Sequence, residues 1–222
     1  MQELRESIMI QLDIFSDPIC PWCYIGKAYL DRALEANPDH PFQVRWLPFM
    51  LNPEMPAAGM DRRAYLEGKF GGQEGAVQAY LPVEEHAAKA GVTLHLDRIE
   101  KTPNTVDAHR LIHWAGIEGR QTPIVAGLFR AYFVEGRDIG DAEVLADVAD
   151  SHGMDASLVL RLLASDEDRR EIVERDAAAR GMGINSVPTF IVAGQHAVPG
   201  AQPPELWSRV IEELRTGAAP ET

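Results

Sequence analysis

The chain has two cysteines in 222 residues, Cys20 and Cys23, three positions apart. A disulfide closing so short a loop would staple nothing distant, so a structural framework is excluded. The arrangement suits thiol–disulfide exchange. In that chemistry one thiolate attacks a substrate disulfide and a second thiol resolves the mixed disulfide. The rival use is half of a zinc site. It needs two more ligands, and the chain offers no second cysteine pair, only seven scattered histidines. The reading therefore takes no metal and no organic cofactor.

The pair sits where an apolar run ends and a helical pattern begins, and this position has an electrostatic consequence. Unpaired N–H groups and the positive end of a helix stabilise a thiolate on the first cysteine. Pro21 fits the first helical position, where no N–H is needed and φ is preset. Cys20 is then expected to be the exposed nucleophile, and Cys23, one turn on and more buried, the resolving thiol. Trp22 is expected at the rim of the site, in contact with substrate or packed there. Asp13 lies mid-strand among apolar neighbours. A buried carboxyl beneath the dithiol could hold the proton that Cys23 must lose; the plainer reading is a partly exposed strand position. His109 and His113 stand four apart on a predicted helix, and packing or a supporting role is favoured over a metal.

Several elements must position these residues. Ile8 to Phe15 reads as a buried central strand. Ser16-Asp17-Pro18 is a turn, and the helix after it stops at Asn37-Pro38. Phe42, Val44 and Trp46 alternate with polar residues in a second strand closed by Pro48. This β-α-β unit implies parallel strands. From about Gly59 to Arg180 helix follows helix, with Asp61, Asn104, Asp141 and Ser165 or Asp166 as N-caps and Pro82, Pro103 and Pro123 as punctuation. The apolar spacing is clearest at Val144, Leu145 and Val148, and at Leu158 and Leu162. Strand character returns at Thr189–Val192 and His196–Val198, before a last helix over Pro204–Leu214 and a frayed tail from Thr216.

Neither strand group could bury itself alone, so both must share one sheet. The expected fold is α/β, with a central mixed sheet built from β-α-β and β-β-α halves and interrupted by an all-helical insertion. The expected domains are 8–58 with 181–216, and 59–180.

The composition is that of a globular chain, 45% hydrophobic and 25% charged, with a formal charge of −13. Such a surface repels phosphate backbones and anionic lipid, which argues against nucleic acid and membranes as partners. The start, MQELRESIMIQLDIF, lacks a leader pattern, and no stretch approaches a membrane span, so a cytoplasmic protein is expected.

Three segments carry a resemblance. They are Asp17-Pro18-Ile19-Cys20-Pro21-Trp22-Cys23-Tyr24-Ile25-Gly26, Asn104-Thr105-Val106-Asp107-Ala108-His109-Arg110-Leu111, and Asn185-Ser186-Val187-Pro188-Thr189-Phe190 followed by Gly200-Ala201-Gln202. Together they resemble the FrnE-type branch of the DsbA-like thioredoxin-fold oxidoreductases over nearly the whole chain. The resemblance makes the expected α/β fold a thioredoxin fold and implies a cis Val187–Pro188 bond facing Cys20, with the Val187 backbone open to an extended substrate. It also implies Cys20 as nucleophile and Cys23 as resolver, and a groove beside Cys20 lined from the Asn104 and His109 segment. The implied partner is a disulfide- or thiol-containing protein or a small thiol. Kappa-type glutathione transferases and 2-hydroxychromene-2-carboxylate isomerases share the layout and are the alternative; they typically carry Ser where this chain has a cysteine pair.

Overall fold

The computed structural model describes residues 9–216. Ile8, expected in the first strand, and the tail beyond Thr216 lie outside the described residues. Strand β1 (Ile10–Ser16) is central in a four-stranded sheet of order β2-β1-β5-β6. It pairs in parallel with β2 (Phe42–Pro48), from Ile10 opposite Phe42 to Ser16 opposite Pro48. On its other side it runs antiparallel to β5 (Thr189–Val192), with Leu12 opposite Val192. β6 (His196–Pro199) completes the sheet against β5. The chain therefore has the expected mixed-sheet thioredoxin fold with a helical insertion.

Helix α1 (Pro21–Ala36) links β1 to β2 and packs beside the last helix of the chain. That helix, the ninth (Pro204–Thr216), seats Trp207 edge-on against Phe190 and Phe42 of the sheet. A Cβ at Gly26, inside α1, would lie 3.0 Å from the Pro188 ring and 3.4 Å from the Ala201 backbone. A side chain at that position would force the Pro188 loop to give way by a few tenths of an ångström.

Between the two halves come α2 (Arg62–Phe70), α3 (Gln73–Ala90), α4 (Val106–Ile117), α5 (Gln121–Phe129), α6 (Ala142–Ser151), α7 (Ala156–Leu163) and α8 (Arg169–Gly181). Asp61 and Asp141 cap their helices as expected, accepting from Ala64 N and from Glu143 and Val144 N. Four details depart from the sequence reading. A two-residue antiparallel pair, β3 (Met60–Asp61) with β4 (Lys101–Thr102), interrupts the helical block. Pro82 lies inside α3 rather than ending it; the helix is solvent-exposed there, so water can satisfy the carbonyl that loses its partner. The core face of α7 is Val159 and Leu163, one position on from Leu158 and Leu162. Finally, α8 starts at Arg169, not after Ser165 or Asp166. The carbonyls of Leu162, Ser165 and Glu167 are turned towards the buried Arg110 guanidinium, 2.7 to 2.9 Å away, which fixes this stretch as a turn.

The insertion is sealed to the sheet. Trp46 N donates to Gln121 Oε1 at 2.7 Å, and Gln121 Nε2 donates back to Trp46 O at 3.0 Å, so this side chain continues the ladder at the edge strand. Asp176 of α8 accepts from Met50 N at 2.7 Å. A single apolar core runs from Leu12 and Ile14 of the sheet to Leu128, Phe129 and Leu145 of the insertion.

Candidate active site

Cys20 is the N-cap of α1 with extended backbone, and Pro21 opens the first turn. The Ser16-Asp17-Pro18 turn is closed by Cys20 N donating to Asp17 O at 2.9 Å. No acidic residue stands in the first turn, so nothing there offsets the positive end of the helix. Both cysteines are free thiols. Cys20 Sγ donates to Val187 O at 3.7 Å. The Val187–Pro188 bond is cis, and Pro188 O accepts from Gly200 N at 2.8 Å. The two distant motifs thus meet at one sulfur.

Expected exposure and observed exposure differ here. Cys20 retains only 4% of its surface and Cys23 1%, so both are buried, although Cys20 is still the more accessible. Both lie in the apolar core that the sheet shares with the insertion. Helix α3 packs on α1, with His86 edge-on to Trp22 at 5.2 Å and Val83 and Tyr80 in one apolar cluster with Ile25 and Trp22. Trp22 is accordingly half-buried, held by packing on two sides. Cys23 is pushed well above the usual thiol range, mainly by burial and next by its neighbour Cys20; the Ser16 hydroxyl and the Asp17 N–H oppose this.

The acidic residue expected beneath the pair is not Asp13. Arg45, opposite it on β2, grips Asp13 through Nε and Nη2, both at 2.8 Å, on a partly exposed stretch of sheet. The buried acid is Asp17. Burial raises its carboxyl to about 7, against the pull of Leu51 N–H (2.7 Å), Ile19 N–H (3.4 Å) and Thr105. Its neighbour His109, with Nε2 at 3.8 Å, is held neutral by burial, down to about 4. With the imidazole uncharged at neutral pH, this contact is no ion pair.

His109 is enclosed, and its Nε2 has no hydrogen-bond partner. It therefore does not line a substrate groove. Nor does the Asn104 amide, which is spent on Met55 O (2.7 Å) and Val106 N (3.0 Å). With Arg110, these residues make the segment a structural hub behind the dithiol. His113 stands with Asp168 and Glu171 closely enough to group around an ion. Arg175 already occupies that space, bonded to Glu171 at 2.5 Å and to His113 at 3.3 Å. Sequence reasoning missed Asp17, for which the available signal was a carboxylate in the turn that ends at Cys20.

A mixed sheet with a cysteine pair at the start of its first helix, facing a cis-proline loop, is the arrangement of a DsbA-like thioredoxin domain. The chain belongs to that family: residues 11–212 match the DSBA-like thioredoxin domain. It is 27% identical over 208 residues to the uncharacterized protein YwbO of Bacillus subtilis (strain 168), covering 92% of this chain and 96% of that one. Its structure is similar to the probable DsbA oxidoreductase SCO1869 from Streptomyces coelicolor, with a TM-score of 0.83 at 28% identity, covering 96% of this chain and 93% of that one. The fold also matches a 2-hydroxychromene-2-carboxylate isomerase, at a TM-score of 0.70 and 18% identity, with 94% and 98% covered. Among the described residues no helix is long and apolar enough to cross a membrane.

Proposed function

We propose that the protein is a thiol–disulfide oxidoreductase working through Cys20 and Cys23, of the FrnE-type branch of its family. The observation that carries this is the Cys20 thiol at the start of α1, 3.7 Å from the Val187 carbonyl and beside a second free thiol. The Cys20 thiolate attacks a substrate disulfide, forms a mixed disulfide and expels the first substrate thiolate. Cys23 then loses its proton, attacks Cys20 Sγ and expels the second. Substrate is reduced and the dithiol oxidised, and oxidation of a substrate dithiol is the same sequence reversed. As Cys23 ionises, the Ser16 hydroxyl and Asp17 N–H stabilise its thiolate. Pro21, Trp22, Val187 and Pro188 form the substrate-facing rim, with the cis-proline loop as the backbone slot for an extended disulfide-bearing chain or small thiol.

The same reading treats residues 8–58 and 181–216 as the thioredoxin-fold domain and 59–180 as its insertion. It places the protein in the cytoplasm. Replacing Cys20→Ser should abolish reduction of a disulfide substrate; undiminished turnover would eliminate the mechanism. Transferase or isomerase chemistry of the alternative kind needs no second thiol. Glutathione conjugation or isomerisation surviving in Cys23→Ser would favour it.

A further inference from the structure

Arg62, the first residue of α2, retains 6% of its surface. Its guanidinium donates through Nη1 to Tyr132 Oη at 2.9 Å and through Nη2 to Tyr80 Oη at 2.8 Å, and it lies 5.7 Å from the centre of each ring. Both partners are neutral phenols, held above the usual tyrosine range chiefly by burial. Among the described residues no carboxylate pairs with Arg62, and three of its five N–H donors have no protein acceptor. A buried cation without an anion is expensive, so this one is built for a partner the fold does not supply.

The guanidinium forms part of the floor of a groove of about 480 Å³ between α2 and α3, continued by a smaller one of about 230 Å³ reaching Tyr80. Its walls are apolar. Leu66 and Leu96 are half-buried, while Val77 and Leu81, four apart on α3, are 54% and 51% exposed. Tyr80, at one end of the groove, belongs to the same apolar cluster as Ile25 and Trp22 on the helix that carries the dithiol, and Cys20 is near enough for its charge to act on the Tyr80 phenol. Asp61, Glu67, Glu84 and Glu100 also line it, as does a second cation, Arg63, which is exposed and screened by water. Asp61 is engaged as the cap of α2, Glu84 and Glu100 are exposed, where water screens them, and Glu67 is half-buried without pairing to Arg62 among the described residues; Arg62 is more sheltered than any of them and acts at closer to full strength.

We propose that Arg62, held by Tyr80 and Tyr132, binds the carboxylate of a low-molecular-weight disulfide whose sulfurs reach Cys20. The planar fork suits a carboxylate, and the apolar walls suit a short methylene spacer. This rests on the dithiol reading above. The chain's charge of −13 works against any anionic substrate, so a preference for one requires a local cation.

The test uses prereduced full-length protein with no other reductant, oxidised either by 3,3′-dithiodipropionate or by the neutral bis(2-hydroxyethyl) disulfide. Each turnover converts the disulfide to two thiols and the protein dithiol to its disulfide. The ratio of the two rate constants is normalised to the same ratio for dithiothreitol. The expected normalised ratio is above one for the wild-type protein and roughly 10- to 100-fold lower for Arg62→Met. A wild-type ratio of one or less overturns the proposal, as does an Arg62→Met ratio equal to that of wild type. The wild-type arm is decisive even if the variant does not fold. Oxidation by neither disulfide would refute the dithiol reading itself, whereas oxidation without preference refutes only the carboxylate site.

Discussion

Asp17 shows how one side chain couples the site to pH. Its carboxyl is raised by burial, so the folded state binds this proton more tightly than the unfolded state does. The associated stability is fully present below pH about 4 and is lost as pH rises towards 7. Asp17→Asn keeps an acceptor for Leu51 N–H but cannot ionise. The variant should gain stability over wild type with rising pH, by up to about 4 kcal/mol above pH 7, since each tenfold gain in proton affinity on folding is worth about 1.4 kcal/mol. Urea denaturation at pH 5 and pH 8 checks this, and an unchanged difference between the two would contradict it. His109 acts in the opposite range. Its lowered folded value removes stability as pH falls from 6.5 towards 4. The choice between Asp13 and Asp17 could not be read from the chain. Both are acids near the pair, and what decides is Arg45 on the neighbouring strand, which takes Asp13, and the enclosing Leu51 and His109, which surround Asp17.

At the scale of elements, the contact between α1 and the Pro188 loop sets how Cys20 meets Val187. Gly26→Val would push Cγ atoms into a gap where even a Cβ would sit 3.0 Å from the proline ring. The expected cost is about 1–3 kcal/mol of stability, together with slower disulfide exchange, because the loop that faces Cys20 must shift. Thermal denaturation and an exchange assay check both; a variant with neither loss would mean the loop yields freely. The β-α-β and β-β-α halves were legible because apolar runs, prolines and the stop at Asn37-Pro38 are local signals. The β3–β4 pair was not, being two residues on each side and drawn together across forty residues. The start of α8 was hidden for a similar reason. Arg110, more than fifty residues earlier, draws the Ser165 and Glu167 carbonyls towards itself and holds that stretch as a turn.

For the whole molecule, the insertion is part of one folding unit with the sheet. The Trp46–Gln121 ladder, the Met50–Asp176 bond and the shared core predict a single cooperative unfolding transition, with circular dichroism and tryptophan fluorescence curves coinciding in urea. Two separated transitions would contradict it. The same packing explains why the burial of Cys20 escaped the sequence. The thiol is buried in the core that the sheet shares with the insertion, whose residues lie far from it along the chain and leave no local trace of the contact.

The central claim is that Cys20 attacks first and Cys23 resolves. Mass spectrometry of the two single variants after exposure to a small disulfide tests it most directly. Cys23→Ser should accumulate one stable mixed disulfide on Cys20, while Cys20→Ser, left with the buried, high-pKa thiol, should form it far more slowly. Equal labelling of both variants, or none of Cys23→Ser, would contradict the account.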